Sequence, residues 1–483
     1  MRAPRARRVR RAAQITVSAR LRSRVMLETR MGGEIAASFG GHLVNLGRLA
    51  AGAVDRARKL STGLPLASFA TGGRNFDKEI DLLVRRLAGH GLLEYRLGRA
   101  TDDADLVVIE PQVHDYWPRT PRLGDADTLV LSRFAYLRRR GNEMVLESPC
   151  AGALFRFRDP KIAGIVAELS TPKEIGELRS QEGFPGKELL ALLVDCRIIL
   201  KIDAAGAKGL RAVESDLVLW EFHDLLFHAR STEGRHANPL GAVYPYVGAI
   251  PPLPALRPRW PGKAIDLRKS TARSKTASSV AKLLRDRHST RSFDDQRPIT
   301  LDELSRFLDG TGRVLSTWDN PLGFDDGGCA VRPYPSAGAS YELELYLAVN
   351  LCEGLARGFY HYDAGAHALV LIGVPANALE AQLAGAEYAM GAAAAPQILI
   401  TITARFGRIS WKYGSIAYSL ILKDVGAFVQ TLYLMATDMG LGGCAIGITN
   451  IEMFARMTGI EFSTEGPVGQ FAIGSRTKSA ASD

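Results

Sequence analysis

Apolar and polar positions alternate cleanly between residues 342 and 349, where Leu343, Leu345, Leu347 and Val349 interleave with Glu342, Glu344, Tyr346 and Ala348. A period of two predicts a half-buried strand. The residues before it, Pro-Ser-Ala-Gly-Ala from Pro335 to Ala339, predict a tight elbow. Gly and Ala there let backbone approach a flat ligand closely, and Ser336 adds a hydroxyl. Helical periodicity marks other segments. A long helix is expected over residues 415–439, and another behind the capping box Thr300-Leu301-Asp302-Glu303. Residues 218–236 predict a packed amphipathic helix, because His223 and His228 are five apart and do not share a face as a metal pair at four would.

The first two hundred residues repeat. Leu60-Ser61-Thr62 precedes Lys78-Glu79-Ile80, and Leu169-Ser170-Thr171 precedes Lys187-Glu188-Leu189 at the same interval. Similar strand patterns stand upstream of each copy, VMLETR near residue 25 and MVLESP near residue 144. Each copy predicts strands, a short helix, a turn, a longer amphipathic helix and a further strand, the outline of a winged helix. Two units imply a duplication, not a solenoid. Winged helices bind DNA, or bind peptides by adding a strand at the wing edge. The last helix of the second copy, KELLALLVDC, carries almost no positive charge, although the first offers Arg85 and Arg86. Peptide or structural use is therefore favoured over nucleic acid.

Composition narrows the class. The chain has 483 residues, 46% apolar and 23% charged, enough for roughly three globular domains of about 150 residues. It has no unbroken run of about 18 apolar residues, so no membrane span is expected. The five cysteines, Cys150, Cys196, Cys329, Cys352 and Cys444, are scattered and form no C-x-x-C pair. That argues against a disulfide framework or structural zinc and for a reducing cytoplasm. Much of the net charge of +10 sits in an N-terminal stretch with no acidic residue, and charge alone gives only sequence-independent attraction to nucleic acid. The stretch YPYVGAIPPLPALRPRWPG and the basic segment after it have linker composition.

Three segments hold candidate chemistry. Arg287, His288, Ser289 and Arg291 crowd one turn, and forked guanidiniums with a hydroxyl suit a phosphate. MGLGGCAIGITN, residues 439–450, reads as a Gly-rich turn after a helix, without the spacing of a dinucleotide fingerprint. ISWKYGSIAYS sets the amine of Lys412 beside the phenol of Tyr413, both able to transfer protons.

In their order, R-H-S-T-R, P-S-A-G-A before a strand, W-K-Y-G-x-I-A-Y and G-L-G-G-C-A-I-G resemble the nitroreductase-like flavoproteins. More narrowly they resemble the SagB-type peptide dehydrogenases of thiazole/oxazole-modified peptide biosynthesis. The likeness covers roughly residues 278–476, and LVLSRFAYLRRRG with EFHDLLFHAR extends it upstream. It implies an α+β chain whose antiparallel-dominated sheet is wrapped by helices. A nitroreductase-like FMN domain over 278–483 would follow winged-helix-like domains at 21–115 and 125–205, with a basic disordered tail at 1–20 and a helical, Pro-rich linker at 206–277.

By the same resemblance, Arg287, His288, Ser289, Arg291 and Arg476 would meet the phosphate and ribityl chain of FMN. Pro335, Ser336, Ala337 and Gly338 would touch the ring. Gln430 and the Gly442-Gly443 loop would complete the site, across a homodimer interface, with Lys412 and Tyr413 as the catalytic pair. The implied reaction oxidises a thiazoline or oxazoline in a ribosomal peptide to the azole. Implied partners are the modified precursor peptide and a cyclodehydratase complex, in the cytoplasm, without membrane or nucleic acid. Ile448-Thr449-Asn450 departs from the Gly-Asp type of turn expected after Gly447. Two other readings stand beside this one: an NAD(P)H-dependent reductase of small nitro or quinone substrates, and a winged-helix binding protein whose C-terminal domain has lost activity.

Overall fold

The computed structural model describes residues 15–30, 34–39, 42–70, 74–99, 105–202, 214–235, 249, 278–318, 328–413 and 416–477. Residues 1–14, nearly all of the Pro-rich stretch, and Gly414 with Ser415 lie outside the described residues, whereas residues 15–20, expected in a disordered tail, are strand, because their alternating Ile15, Val17 and Ala19 pack into the first core. The chain forms two compact units. One takes Met1–Val218, Leu225–Arg230 and Gly234–Ala237; the other takes Leu219–Asp224, Ser231–Glu233 and Asn238–Asp483.

In the first unit, β1 (Ile15–Leu21) pairs with both β5 (Leu64–Pro65) and β6 (Leu93–Arg99). Between them run the meander β2 (Met26–Thr29), β3 (Glu34–Phe39) and β4 (His42–Arg48) and the helices α1 (Ala51–Arg58) and α2 (Asn75–Gly89). The same order recurs. The strand β8 (Thr128–Leu131) pairs with β12 (Lys173–Glu174) and β13 (Ile199–Ile202). Between these lie the meander β9 (Tyr136–Arg140), β10 (Glu143–Glu147) and β11 (Ala153–Phe157), then α3 (Pro160–Glu168), α4 (Ile175–Arg179) and α5 (Lys187–Asp195). The spacing from Leu60 to Leu169 and from Lys78 to Lys187 is 109 residues, which carries Met26–Thr29 onto the first meander strand β9. MVLESP falls instead on the middle strand β10, since apolar alternation alone does not distinguish neighbouring strands of one meander. The strand β7 (Asp105–Pro111) joins the two copies into one sheet through its pairing with β6 and β11.

The second unit holds a short hairpin, β14 (Ser316–Trp318) with β15 (Cys329–Val331), and a sheet of β16 (Leu343–Val349), β17 (Gly358–Asp363), β18 (Ala368–Ile372), β19 (Ile398–Arg405), β20 (Leu441–Ile446) and β21 (Glu465–Ser475). The six sheet strands lie in the order β18-β17-β16-β19-β21-β20, every pair antiparallel. The helices used below are α6 (Ser279–Asp286), α7 (Leu301–Thr311), α8 (Ala376–Met390), α9 (Phe406–Ser410), α10 (Ala417–Asp438) and α11 (Ile451–Thr458). The expected capping box opens α7, with Thr300 and Glu303 each bonding the other's backbone N–H. The mixed α+β class and the antiparallel sheet are as expected. The strand β16 differs in one respect. Tyr346 and Ala348, expected on a wet face, are buried against Leu379 and Leu383 of α8 and Phe454 of α11. A second helical layer covers that face, and alternation within one strand carries no sign of it.

The long helix α10 matches its expected span within two residues. By length and composition it is also apolar enough to cross a membrane, and 39% of its most apolar window is buried. A search for unbroken apolar runs misses this property, because Lys423, Asp424 and Thr431 interrupt the helix.

Candidate active site

The sequence-selected residues gather at two places along α10. The first is the turn after α6. Ser289 Oγ is 2.8 Å from the Tyr433 hydroxyl, which accepts the backbone N–H of Ala445 at 2.8 Å. The Arg287 guanidinium lies 5.0 Å from the centre of the Tyr433 ring, within cation–π range. His288 Nε2 is 3.1 Å from an Arg476 guanidinium nitrogen, and Thr290 N–H donates to the Gly443 carbonyl at 2.8 Å. Arg291 is exposed on the same turn, and its charge acts on the Cys444 thiol, which burial pushes up. Three arginines, a histidine and a hydroxyl thus converge.

The Gly442-Gly443 pair is a strand, not the expected loop, and belongs to β20. Packing explains the glycines. A Cβ on Gly442 would stand 2.7 Å from Thr290 Cγ2, and one on Gly443 would collide with the Phe471 ring. Both admit close neighbours where a side chain would not fit. The departure at Ile448-Thr449-Asn450 also has a local role. The Thr449 carbonyl accepts Glu233 N–H at 2.8 Å, the Ile451 N–H returns to the Glu233 carbonyl at 3.1 Å, and Asn450 Oδ1 caps α11 on Met453 N–H. Nearby in sequence, Trp220 of the same unit donates to the Ser463 carbonyl at 2.7 Å and packs 4.5 Å from Phe406.

The second place is the elbow. Gly338, Ala339 and Tyr341 adopt φ of 58°, 52° and 46°, the left-handed region that residues with a Cβ rarely enter. Ala337 N–H donates to Asp424 Oδ2 at 2.8 Å. Ser336 Oγ accepts Tyr341 N–H at 2.9 Å and donates to Glu342 Oε2 at 3.2 Å. Pro335 precedes this turn, and Tyr334 packs 4.5 Å from Phe428 of α10. Lys412 and Tyr413 rest on the elbow: Lys412 Nζ donates to the Gly338 carbonyl at 3.2 Å, and a Cβ on Gly338 would stand 2.5 Å from the Tyr413 hydroxyl. Glycine at 338 is thus favoured by φ and required by the phenol against it.

Asp424 and Tyr433 are nine residues apart on α10. That is two and a half helical turns, so they face opposite sides, about 13 Å apart along the axis. Within one chain the body of the helix separates the cationic turn from the elbow. Gln430, three residues before Tyr433, shares the Tyr433 side and is half-buried. Sequence patterns missed Tyr433, Asp424 and Glu342. They stand in apolar or alternating runs, and only the tertiary fold turns them to the site.

Residues 284–475 match the nitroreductase family profile, and residues 129–237 match that of the cyanobactin oxidase ThcOx. A nitroreductase-type protein of Methanocaldococcus jannaschii is 35% identical over 150 residues, spanning 31% of this chain and 69% of that protein. The chain belongs to the nitroreductase family of oxidoreductases. The two profile matches together agree with the narrower likeness to the SagB-type, nitroreductase-like proteins. Among solved structures, a nitroreductase of Ralstonia eutropha is 22% identical with a TM-score of 0.31, over 42% of this chain and 86% of that one. The Escherichia coli microcin synthetase McbBCD complex, solved with truncated pro-MccB17 bound, is 19% identical with a TM-score of 0.40, over 55% and 97%. Both likenesses are too slight to bear on function.

Proposed function

We propose that this chain is an FMN-dependent dehydrogenase that oxidises thiazoline or oxazoline rings in a ribosomal peptide to the azoles. The observation that carries the reading is the seat of Lys412 and Tyr413 on Gly338, where an amine and a phenol meet a strained, side-chain-free stretch of backbone. The residues fit FMN. Arg287, Arg291, Arg476, His288 and Ser289 suit a phosphate, and the bare backbone at Gly338 suits a flat ring. FMN, when bound, supplies the acceptor for the two electrons of the oxidation.

The chain's own part is to hold the azoline ring and take its α-proton, on Tyr413 Oη or Lys412 Nζ, while the β-hydrogen leaves as hydride. Because the cationic turn and the elbow lie on opposite sides of α10, one flavin would be held by the turn of one copy and the elbow of a second. The incomplete burial of apolar α10, with Leu422 36% exposed, supports pairing of two copies through this helix. The duplicated front unit, winged-helix-like in this reading, would take the precursor peptide or the cyclodehydratase that makes the azoline.

An absorbance spectrum of the purified chain, with identification of any released chromophore, tests the cofactor. Stoichiometric FMN is expected, and an azoline peptide should lose two hydrogens per ring without added nicotinamide. Consumption of NAD(P)H with nitro compounds, and no change in the peptide, would favour the small-molecule reductase. A chain that neither carries nor takes up FMN would rule out both.

A further inference from the structure

We propose that the Glu342–Asp424 carboxyl pair is the positioning device of the elbow: with Glu342 protonated the segment Ser336–Tyr341 is held in its left-handed course, and with Glu342 ionised it is released. Lys412 and Arg408 hold its carbonyls at Gly338 and Ser340, whereas its Ala337 and Tyr341 amides are held through carboxyls. Ala339 and Tyr341 carry side chains at φ of 52° and 46°, a conformation that persists only where surroundings enforce it. The enforcing bonds end on two acids. Asp424 accepts Ala337 N–H, and Glu342 fixes the Ser336 hydroxyl that in turn accepts Tyr341 N–H. Glu342 has no solvent exposure and Asp424 is 8% exposed. Glu342 Oε1 is buried without a hydrogen-bond partner, so no donor there offsets the cost of a negative charge, and Oε2 accepts only from Ser336.

The groups around Glu342 offer the ionised form little relief. Asp424 faces it from α10 as a like charge. Arg332 faces it from the segment before the elbow and opposes the rise, with one guanidinium nitrogen on the Leu343 carbonyl at 3.0 Å, another 4.0 Å from Glu344, and Nε buried without a partner. Tyr334, from the same segment, is a buried phenol. From α9, Arg408 Nε donates to the Ser340 carbonyl at 3.0 Å, and at the end of β19 Arg405 N–H donates to the Glu342 carbonyl at 3.0 Å. Burial pushes the Glu342 carboxyl up to about 7; its backbone hydrogen bond opposes the rise and the Asp424 charge adds to it. Above that pH two buried carboxylates adjoin, and the route that hydrates them is opening of the elbow.

The conformational step stands independently of any cofactor. Its consequence for flavin binding rests on the proposed function. Hydrogen exchange at the Ala337 and Tyr341 amides of the full apo chain separates the two. After correction for intrinsic exchange, protection should fall about tenfold between about pH 6 and about pH 8, the limit for one linked proton one unit above its pKa. Glu342→Gln, a neutral isostere, should keep its protection across that range. Asp424→Asn leaves an acceptor for Ala337 but removes the like charge, and should move the midpoint to lower pH. Unchanging protection in the wild type, an equal fall in Glu342→Gln, or an unmoved midpoint in Asp424→Asn would each overturn the proposal. FMN affinity, followed by flavin fluorescence, should drop by the same factor over the same range. A chain that binds no FMN but shows the exchange change loses the flavin reading and keeps this one.

Discussion

The two ends of α10 solve different problems. Around Tyr433 the chain assembles cations at an open, half-exposed turn, braced by a neutral phenol that links Ser289 to Ala445. Around Asp424 it buries two acids beneath a backbone held in an unfavourable conformation. The first arrangement suits an anion, and its geometry costs little because each cation remains near water. The second stores strain and removes side chains, which serves a surface that must lie flat against something. Charge gathers at the first place and strain at the second, the division that the proposed function would use for holding and for chemistry.

That contrast can be broken from either side. The largest effect is expected at the elbow, where Tyr413→Phe should lower azoline turnover about 10²- to 10⁴-fold, the range for removing a general acid–base group. Flavin content measured by absorbance should not change, and loss of the flavin would mean that Tyr413 holds the cofactor. At the other end, Arg287→Ala should weaken FMN binding about 10- to 100-fold through loss of a charge-assisted contact, with turnover at saturating FMN retained. Gly443→Ala drives a methyl into the Phe471 ring and should cost about 1–3 kcal/mol in thermal unfolding.

A smaller, pH-dependent effect separates the acids from the cations. The folded Glu342 carboxyl, raised to about 7, holds its proton more tightly than the unfolded chain does. Its contribution therefore favours the fold at low pH and is lost as pH rises through about 7. Denaturant titrations of wild type and Glu342→Gln across that range should diverge in slope, the variant losing less stability with rising pH.

Much of this was legible in the sequence, for reasons that differ by residue. The capping box at Thr300, the span of α10 and the strand at Leu343–Val349 follow from local spacing and survive in the fold. The R-H-S-T-R turn and the Lys412-Tyr413 pair stood out because charged and phenolic groups cluster within a few residues. Glu342 did not stand out, since it reads as the polar phase of an alternating strand and only the packing of α10 makes it a buried acid. Tyr433 sits in an apolar helix, where a tyrosine looks like core. Gly442 and Gly443 read as a loop because glycine is the commonest loop signal, whereas Thr290 and Phe471, distant in sequence, are what require it inside a strand. The opposite phases of Asp424 and Tyr433 need no more than their spacing of nine, but the question arises only once each is tied to its cluster.

The most direct test mixes two lesions. Arg287→Ala damages the cationic turn and Tyr413→Phe the elbow, so a site shared between copies is intact once in every mixed dimer. At an FMN concentration that leaves the Arg287→Ala site empty, so that neither variant turns over alone, equal amounts of the two, unfolded and refolded together, should recover about one quarter of wild-type azoline oxidation, since half the dimers are mixed and each holds one whole site. No recovery, with mixed dimers demonstrated by mass, would mean that the turn and the elbow of a single chain serve the same flavin, contrary to the placement of Asp424 and Tyr433 on opposite sides of α10.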